Sequence, residues 1–172
     1  MIIGAKNVTD VLKKLPEVTR EGLIRGIDRG IHLVQEAAKS ECPGVTGELR
    51  ESIYVDVEEE WNVIRGVCFT DKSYNFYVEF GTGPKGQSNH EGISPNVAVA
   101  YTQSPWWIHE GPGEDEIDRA TAEYYHFPYI DTPQGRFYRC SGQAARPFMY
   151  PALKNNEDEI VRIVREEVLK RR

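Results

Sequence analysis

Residues 22–38 read GLIRGIDRGIHLVQEAA, and this stretch decides the first element of the fold. Apolar side chains recur in it at steps of three or four residues, at Leu23, Ile27, Ile31, Val34 and Ala38. That spacing places them along one stripe of an α-helix. We therefore predict an amphipathic helix over about residues 16–41.

Three glycines interrupt the same stretch at steps of four: Gly22, Gly26 and Gly30. Each weakens an isolated helix by about 1 kcal/mol relative to alanine. Their common face indicates the close approach of another element, although a helix of poor local propensity would show the same pattern.

The chain next alternates between apolar and polar side chains, which is the period of a half-buried strand. Ile53, Val55 and Val57 form the apolar set of this strand. A second alternating run covers residues 62–69, and the acidic residues 58–60 between the two runs are interpreted as the turn. Together the two runs predict an antiparallel hairpin.

The middle of the chain gives weaker signals. Residues 74–83 are aromatic and β-branched enough for a strand, yet they also fit a short helix that Gly81 would end. Residues 84–94 are polar and rich in glycine, so they are predicted to form a loop. Residues 124–130 and 136–140 flank a stretch with proline and glycine, which predicts a second hairpin.

A second helical pattern covers residues 155–172, with Ile160, Val164 and Val168 on one face. We therefore expect an α+β fold, in which a long N-terminal helix and a C-terminal helix pack on one face of an antiparallel β-sheet built from the hairpins. The 172 residues are interpreted as a single domain, with an inserted hairpin and loop region at about 84–143.

The composition argues against several classes of protein. Hydrophobic residues make up 40% and charged residues 28%, as in an ordinary soluble domain. No run approaches about 18 apolar residues, so no membrane span is expected, and the N-terminal residues lack the pattern of a signal peptide. The three cysteines, an odd number, indicate free thiols in a reducing compartment. The net charge of −6 disfavours specific nucleic-acid binding.

Acidic residues concentrate in residues 110–123, where six carboxylates accompany a single arginine, Arg119. The six are Glu110, Glu114, Asp115, Glu116, Asp118 and Glu123. A solvated loop explains the run most simply. A second interpretation is a surface close to a DNA channel, where negative charge would limit sticking to phosphates.

The sequence contains no recognisable catalytic, cofactor-binding or metal-binding motif. Two His-Glu-Gly triplets, at His90 and His109, lack the second histidine four residues later that a zinc-protease helix requires. The cysteines are not spaced as zinc ligands, and residues 81–86 lack the ending of a phosphate-binding loop. We expect no cofactor, and we expect that the chain is not an enzyme.

Two adjacent aromatic pairs occur in the middle region, Trp106 with Trp107 and Tyr124 with Tyr125. Such pairs can stack on bases or sugars. They serve more often as core or interface anchors, because large aromatic side chains bury the most area for each side chain that is ordered. An interface is therefore the preferred interpretation.

Three segments, in this order, resemble one protein family. Residues 46–53, TGELRESI, match its pattern T-G-x-L-R-x-S-I, and residues 74–82, YNFYVEFGT, match Y-x-x-Y-V-E-F-G-T. Residues 145–153, ARPFMYPAL, match A-x-P-F-x-x-P-A-L. The chain thus resembles the small tail-completion or head–tail connector proteins of siphophages, the HK-ninety-seven gp-ten-like minor structural proteins. The likeness covers roughly residues 1–83 and 144–172.

The resemblance implies a structural function in the virion of a bacteriophage or prophage. Such a protein completes the tail and joins it to the DNA-filled head through protein–protein interfaces. The implied partners are head-neck proteins and tail-tube or terminator proteins, and the implied assembled form is a homo-oligomeric ring. The implied location is the virion, with the host cytoplasm during assembly.

The resemblance also singles out the positions that match its motifs. They are Gly47, Leu49, Arg50, Ser52, Tyr77, Glu79, Gly81, Thr82, Arg146, Pro147, Phe148 and Pro151. We expect Gly47 and Gly81 to provide turns. A charged pair between Glu79 and Arg50 or Arg146 would brace the sheet against a helix. Pro147 and Pro151 would fix the approach to the last helix, and Phe148 would fill the core.

Two other functions remain alternatives. One is a small metal-dependent hydrolase that uses Glu79, His90 or His109, and stoichiometric zinc in the purified protein would favour it. The other is a soluble binding module outside any virion, which would be favoured if no portal, capsid or tail-tube genes lay beside this gene.

Overall fold

The computed structural model describes residues 17–44, 47–60, 63–113 and 116–170. Some of the residues used in the sequence predictions lie outside these ranges, namely Pro16, Thr46, Asn62, Glu114, Asp115, Arg171 and Arg172. The described residues form an α+β fold, which confirms the predicted fold class. In chain order the elements are α1 (Glu17–Glu41), α2 (Glu48–Glu51), β1 (Ile53–Glu60), β2 (Val63–Thr70), α3 (Asn75–Phe80), α4 (Gly83–Ser88), β3 (Trp106–His109), α5 (Arg119–Tyr124), β4 (Tyr129–Thr132), β5 (Gly135–Cys140), α6 (Met149–Lys154) and α7 (Glu157–Leu169).

Strands β1 and β2 form the predicted antiparallel hairpin, with a continuous register over all eight residues of each strand. The prediction that residues 58–60 form the turn is wrong, because these residues complete β1. Their charge is tolerated there because all three are exposed and because Glu58 forms an ion pair with Arg65 on the partner strand. We call residues 58–60 the acidic tip.

Helix α1 packs on this hairpin and runs antiparallel to β1. In the C-terminal half of the helix, the Gln35 amide donates a hydrogen bond of 2.7 Å to the carbonyl oxygen of Ile53, the first residue of β1. Near the other end of the helix, Arg20 forms an ion pair with Glu59 in the acidic tip. At 1.5 Å per residue, the acidic tip therefore lies roughly 30 Å from the C-terminal end of α1.

The glycines of α1 lie against the last helix, which confirms the predicted close approach. A methyl group on Gly26 would stand 2.7 Å from the Cα atom of Val164, and one on Gly22 would stand 2.9 Å from the Cα atom of Val168. The two backbones come this close because the glycines have no Cβ atom. Helix α7 therefore packs mainly on α1, whereas the sequence analysis placed it on the sheet.

The strands form two sheets, so the prediction of one sheet built from both hairpins is wrong. The first sheet is the β1–β2 hairpin, and the second has the antiparallel order β3-β5-β4. Strands β4 and β5 form the predicted second hairpin, but the predicted bounds of its first strand are wrong, because Tyr124 ends helix α5 and β4 begins only at Tyr129. Strand β3 adds to the other side of β5. The region at about 84–143, which the sequence analysis predicts to be an insertion, thus has a sheet of its own.

One short helix decides between two open alternatives, and another replaces a predicted loop. Residues 74–83 fitted either a strand or a short helix, and within them Asn75–Phe80 form helix α3. Gly81 follows the end of this helix, as expected for a glycine cap. Helix α4 stands where residues 84–94 were predicted to be a loop. Pro84 is compatible with this helix because a proline is tolerated in the first turn. Gly86 packs closely on Gly81: a Cβ atom added to Gly86 would lie 2.8 Å from the carbonyl carbon of Gly81.

The core joins segments from both ends of the described chain. It consists mainly of Val34, Ala38, Leu49, Ile53, Phe148 and Ala152, with Cys42 and Ile31 beside them. All three cysteines are free thiols, as predicted. No helix within the described ranges is both long enough and apolar enough to span a bilayer.

Replacement of Gly26 by alanine tests the contact between α1 and α7. The new methyl group would collide with backbone of α7, so we expect a loss of about 1–3 kcal/mol in the free energy of unfolding, despite the better helix propensity of alanine. Urea unfolding followed by circular dichroism measures the change. Gly44→Ala is the matched control, because no atom lies within 4 Å of that position. Equal stability of both variants would contradict the predicted contact.

Candidate functional site

The carboxylate of Glu79 connects the second and third motif segments. Glu79 is only 4% exposed. Its Oε2 atom accepts hydrogen bonds from the backbone N–H groups of Phe148 and Met149 at 2.8 and 3.0 Å, and its Oε1 atom accepts one from Tyr150 at 3.0 Å. These groups begin helix α6, whose own N-terminal residue supplies no side-chain cap. Glu79 therefore caps a helix that starts about 70 residues later.

The predicted ion pair of Glu79 with Arg50 or Arg146 is wrong. Neither arginine forms an ion pair with any carboxylate in the described part of the chain. The physical reason is that three backbone N–H groups already satisfy the Glu79 carboxylate, so its negative charge is used inside the fold.

Further backbone contacts align the second and third segments. Thr82 and Gln143 exchange two backbone hydrogen bonds, of 2.9 and 3.1 Å, and Arg146 donates one of 2.8 Å to the carbonyl oxygen of Val78. Gly81 has a φ of 73° and provides the predicted turn. Since a Cβ atom on Gly81 would stand 2.7 Å from the Ala145 nitrogen, only glycine fits between the two segments.

The first motif segment packs into the same core. Gly47, with a φ of 77°, provides the predicted turn before helix α2. Leu49 is buried beside Phe148, which is fully buried as predicted. The buried Ser52 hydroxyl donates to the Leu49 carbonyl oxygen at 2.8 Å and contacts the Thr70 hydroxyl at 2.6 Å. These residues thus hold the segment in place.

The two prolines of the third segment stand on either side of Phe148. Pro151 lies in the first turn of α6, where its missing N–H group is not required. Pro147 precedes the helix and lies next to Gly92, with its Cγ atom 3.2 Å from the position of a Cβ atom there. This placement agrees with the predicted role of the prolines at the approach to the last helices.

A cleft of about 220 Å³ opens where the three segments meet. Arg50 and Arg146 line it, together with the apolar side chains of Leu49 and Val78, and we call it the arginine cleft. No carboxylate belongs to its lining. Its volume is below the roughly 300–1,000 Å³ of small-molecule sites, so it fits a side chain or a short segment of a protein better than a cofactor.

The arginine cleft contains one reactive group, the thiol of Cys42, which is buried at its edge. Burial is the main cause that raises the pKa of this thiol, against the opposing charge of Arg50. The thiol is therefore protonated at neutral pH, and it donates a hydrogen bond to the Pro43 carbonyl oxygen, at 3.7 Å. A protonated thiol is a weak nucleophile, so the cleft can bind an anion but is poorly suited to covalent chemistry.

The four aromatic residues predicted at an interface have different environments. Trp107, Tyr124 and Tyr125 are exposed, and Tyr125 also lines the arginine cleft. Trp106 is half-buried and packs on Gly83, with a ring atom 2.8 Å from the position of a Cβ atom there. Three of the four are therefore accessible to a partner, and their assignment to an interface stays a prediction.

Three of the acidic residues in 110–123 form bonds inside the inserted region. Glu110 pairs with Arg119, which is the first cause that lowers its pKa. The Asp118 carboxylate caps helix α5 by accepting from the Thr121 N–H group at 3.0 Å. Glu116 contacts the ring of His109 at 2.7 Å. These carboxylates serve the fold, which leaves less negative charge for a surface that repels DNA.

The residues of the alternative hydrolase each have a structural partner. His109 contacts Glu116 through Nδ1 and the Gln134 carbonyl oxygen through Nε2, and His90 stacks on the ring of Tyr101. Within the described ranges, no three His, Cys, Asp or Glu side chains form a group that could hold a metal ion.

Neither the capping of helix α6 by Glu79 nor the arginine cleft was predicted from the sequence. One signal pointed to the first: residues 76–80 carry a single acid among apolar side chains, and helix α6 begins without a Ser, Thr, Asp or Asn cap. A buried carboxylate needs hydrogen-bond donors, and the free N–H groups at the start of a helix without a side-chain cap need an acceptor, so each can satisfy the other.

Replacement of Glu79 by alanine should destabilise the fold because it leaves three N–H groups at the start of α6 without their acceptor. We expect a loss of at least about 1–3 kcal/mol, the cost of an unsatisfied buried donor. Glu79→Gln keeps one amide oxygen and should lose less. Urea unfolding measures both. Glu123→Ala, an exposed acid on α5, is the control, and a Glu79→Ala protein as stable as this control would refute the capping role.

The contact between His109 and Glu116 predicts a pH dependence. Both ring nitrogens face acceptors, and the hydrogen bond to Glu116 raises the pKa of His109 above its usual 6.5. The folded protein thus holds this proton more tightly than the unfolded chain. The stabilisation is complete below about pH 6.5 and disappears as the pH rises through the raised pKa. We expect the difference in Tm between wild type and His109→Gln to shrink between about pH 6 and pH 9. A constant difference would contradict this linkage.

Comparisons with known proteins returned no match to a family model, to a curated protein or to a solved structure. The function of the chain is therefore inferred from its own residues.

Proposed function

We propose that the chain is a structural protein of a bacteriophage or prophage virion, which completes the tail and joins it to the DNA-filled head. It acts through protein–protein interfaces rather than as an enzyme. Its partners are head-neck proteins and tail-tube or terminator proteins, and its assembled form is a homo-oligomeric ring. It is made in the host cytoplasm and ends in the virion.

The observation that supports this proposal most directly is the position of the three motif segments. Glu79 joins the second to the third, and Leu49 of the first shares the core with Phe148 of the third. Most of the motif residues therefore serve internal packing, whereas Arg50, Tyr77 and Arg146 are exposed. An assembly protein needs such a rigid scaffold, because its function lies on its outer surfaces.

The outer surfaces of the described chain carry large aromatic side chains that fit such interfaces. Phe76 and Tyr77 on helix α3 are 60% and 59% exposed, and Tyr124 on α5 is 66% exposed. On the first sheet, Tyr54 and Phe69 are also exposed, with ring centroids 5.9 Å apart. Exposed aromatic groups of this kind are typical anchors of protein–protein contacts.

Electron microscopy of particles made without this gene tests the proposal. We expect full heads and unjoined tails, because nothing would complete the junction. Complementation with the wild-type gene should restore whole virions. Intact, infectious particles from the deletion strain would overturn the proposal.

A surface variant makes the same test sharper. Phe76→Ser combined with Tyr77→Ser removes two exposed aromatic side chains but keeps the backbone bonds that Tyr77 makes to Gly81 and Gln143. We expect a folded protein that complements the deletion at least about tenfold less well, a loss of about 1.4 kcal/mol in binding. Val161→Ser, an exposed apolar residue on α7, is the matched control. Full complementation by the double variant would remove α3 from the interface.

A further inference from the structure

Two features of unlike charge lie at opposite ends of helix α1. The arginine cleft begins at Cys42 and Pro43, directly after the helix. The acidic tip lies near Arg20, at its start. The length of α1 keeps the two features roughly 30 Å apart, so the tip of a chain cannot reach its own cleft.

The arginines of the cleft are exceptional within this protein. The described ranges contain eleven arginines, and seven of them form ion pairs with carboxylates of the same chain. The four that do not are Arg50, Arg139, Arg146 and Arg165. Two of these four line one cleft that contains no carboxylate. In a chain of net charge −6, this is a concentrated positive charge that has no ion-pair partner among the described residues.

The acidic tip has the opposite imbalance. Strand β1 carries Asp56, Glu58, Glu59 and Glu60 towards its end. Among the described residues, only two arginines form ion pairs with these acids: Arg65 with Glu58 and Arg20 with Glu59. Glu60 is exposed and forms no ion pair with the described residues. Counted over the described residues, the acids at this end of the hairpin therefore outnumber their cationic partners.

We propose that the acidic tip of one copy of this chain docks into the arginine cleft of the next copy. This head-to-tail contact rests on the proposed function, in that it supplies the subunit contact of the ring. Because the two contact surfaces are different, the contact is heterologous, and such contacts close into rings when the rotation between copies permits.

Shape and size favour this occupant over the other acidic parts of the chain. The cleft of about 220 Å³ is half-open and has apolar walls at Leu49 and Val78. Carboxylate side chains of the acidic tip can enter such a cleft, whereas Glu157, Glu159, Glu166 and Glu167 of α7 already form ion pairs within the chain. Guanidinium groups bind carboxylates through two parallel hydrogen bonds, which gives the contact a defined orientation.

Sedimentation velocity of the full-length chain over a concentration series tests this contact. We expect the wild type to self-associate, and more weakly at high salt, because screening reduces the attraction between exposed charges. The cleft variant Arg50→Glu with Arg146→Glu and the tip variant Glu58→Arg with Glu60→Arg should each raise the dissociation constant at least about tenfold. Arg165→Glu makes the same kind of charge change away from the cleft and should associate like the wild type.

Two combinations separate a direct contact from damage to the fold. A chain that carries both reversals has an acidic cleft and a basic tip, so it should associate again. In a mixture of the cleft variant and the tip variant, the acidic tip of the first meets the arginine cleft of the second, and the basic tip of the second meets the acidic cleft of the first, so the mixture should associate although neither variant does so alone. Equal thermal unfolding of all the variants confirms that they are folded.

The inference would be overturned by a wild type that is monomeric at every concentration, by a cleft variant that associates normally, or by failure of the combined reversal to restore association. None of these results bears on the joining of heads to tails. A monomeric chain whose deletion still leaves unjoined particles would keep the proposed function and remove this contact.

Discussion

A single buried carboxylate organises the centre of this protein. Glu79 accepts three backbone N–H groups at the start of α6, and a buried charge is stable only when hydrogen bonds compensate for its lost hydration. The carboxylate therefore requires the third motif segment to stay against the second. From that constraint follow the buried position of Phe148, the course of the chain through Thr82 and Gln143, and the arginine cleft beside them.

The elements that the sequence predicts correctly are those with a local repeating pattern. Helix α1 and the β1–β2 hairpin have enough residues for a period of 3.6 or 2 to be visible. Helices α4 and α5 have only six residues each, too few to show a period. The division into two sheets depends on which strands meet across long loops, and no local pattern records that choice. The prediction of a turn at residues 58–60 is wrong because charged residues, which favour turns, also occur on the exposed end of a strand.

The candidate site shows the same limit. The motif positions could be chosen from the sequence, and Gly47, Gly81 and Phe148 have the predicted roles. The partners of Glu79 could not, because they are backbone groups about 70 residues away, and every residue but proline carries such a group. The lack of an ion-pair partner for Arg50 and Arg146 among the described residues is equally invisible, since it depends on where the carboxylates lie in the folded chain.

The glycine face of α1 has a consequence for how the chain folds during synthesis. Its partner, α7, lies far along the chain: Arg29 and Glu167, which form an ion pair across the two helices, are 138 residues apart. Contacts of such sequence separation slow folding because a long loop must close first. During synthesis the glycine face of α1 therefore stays without its partner until α7 has been made.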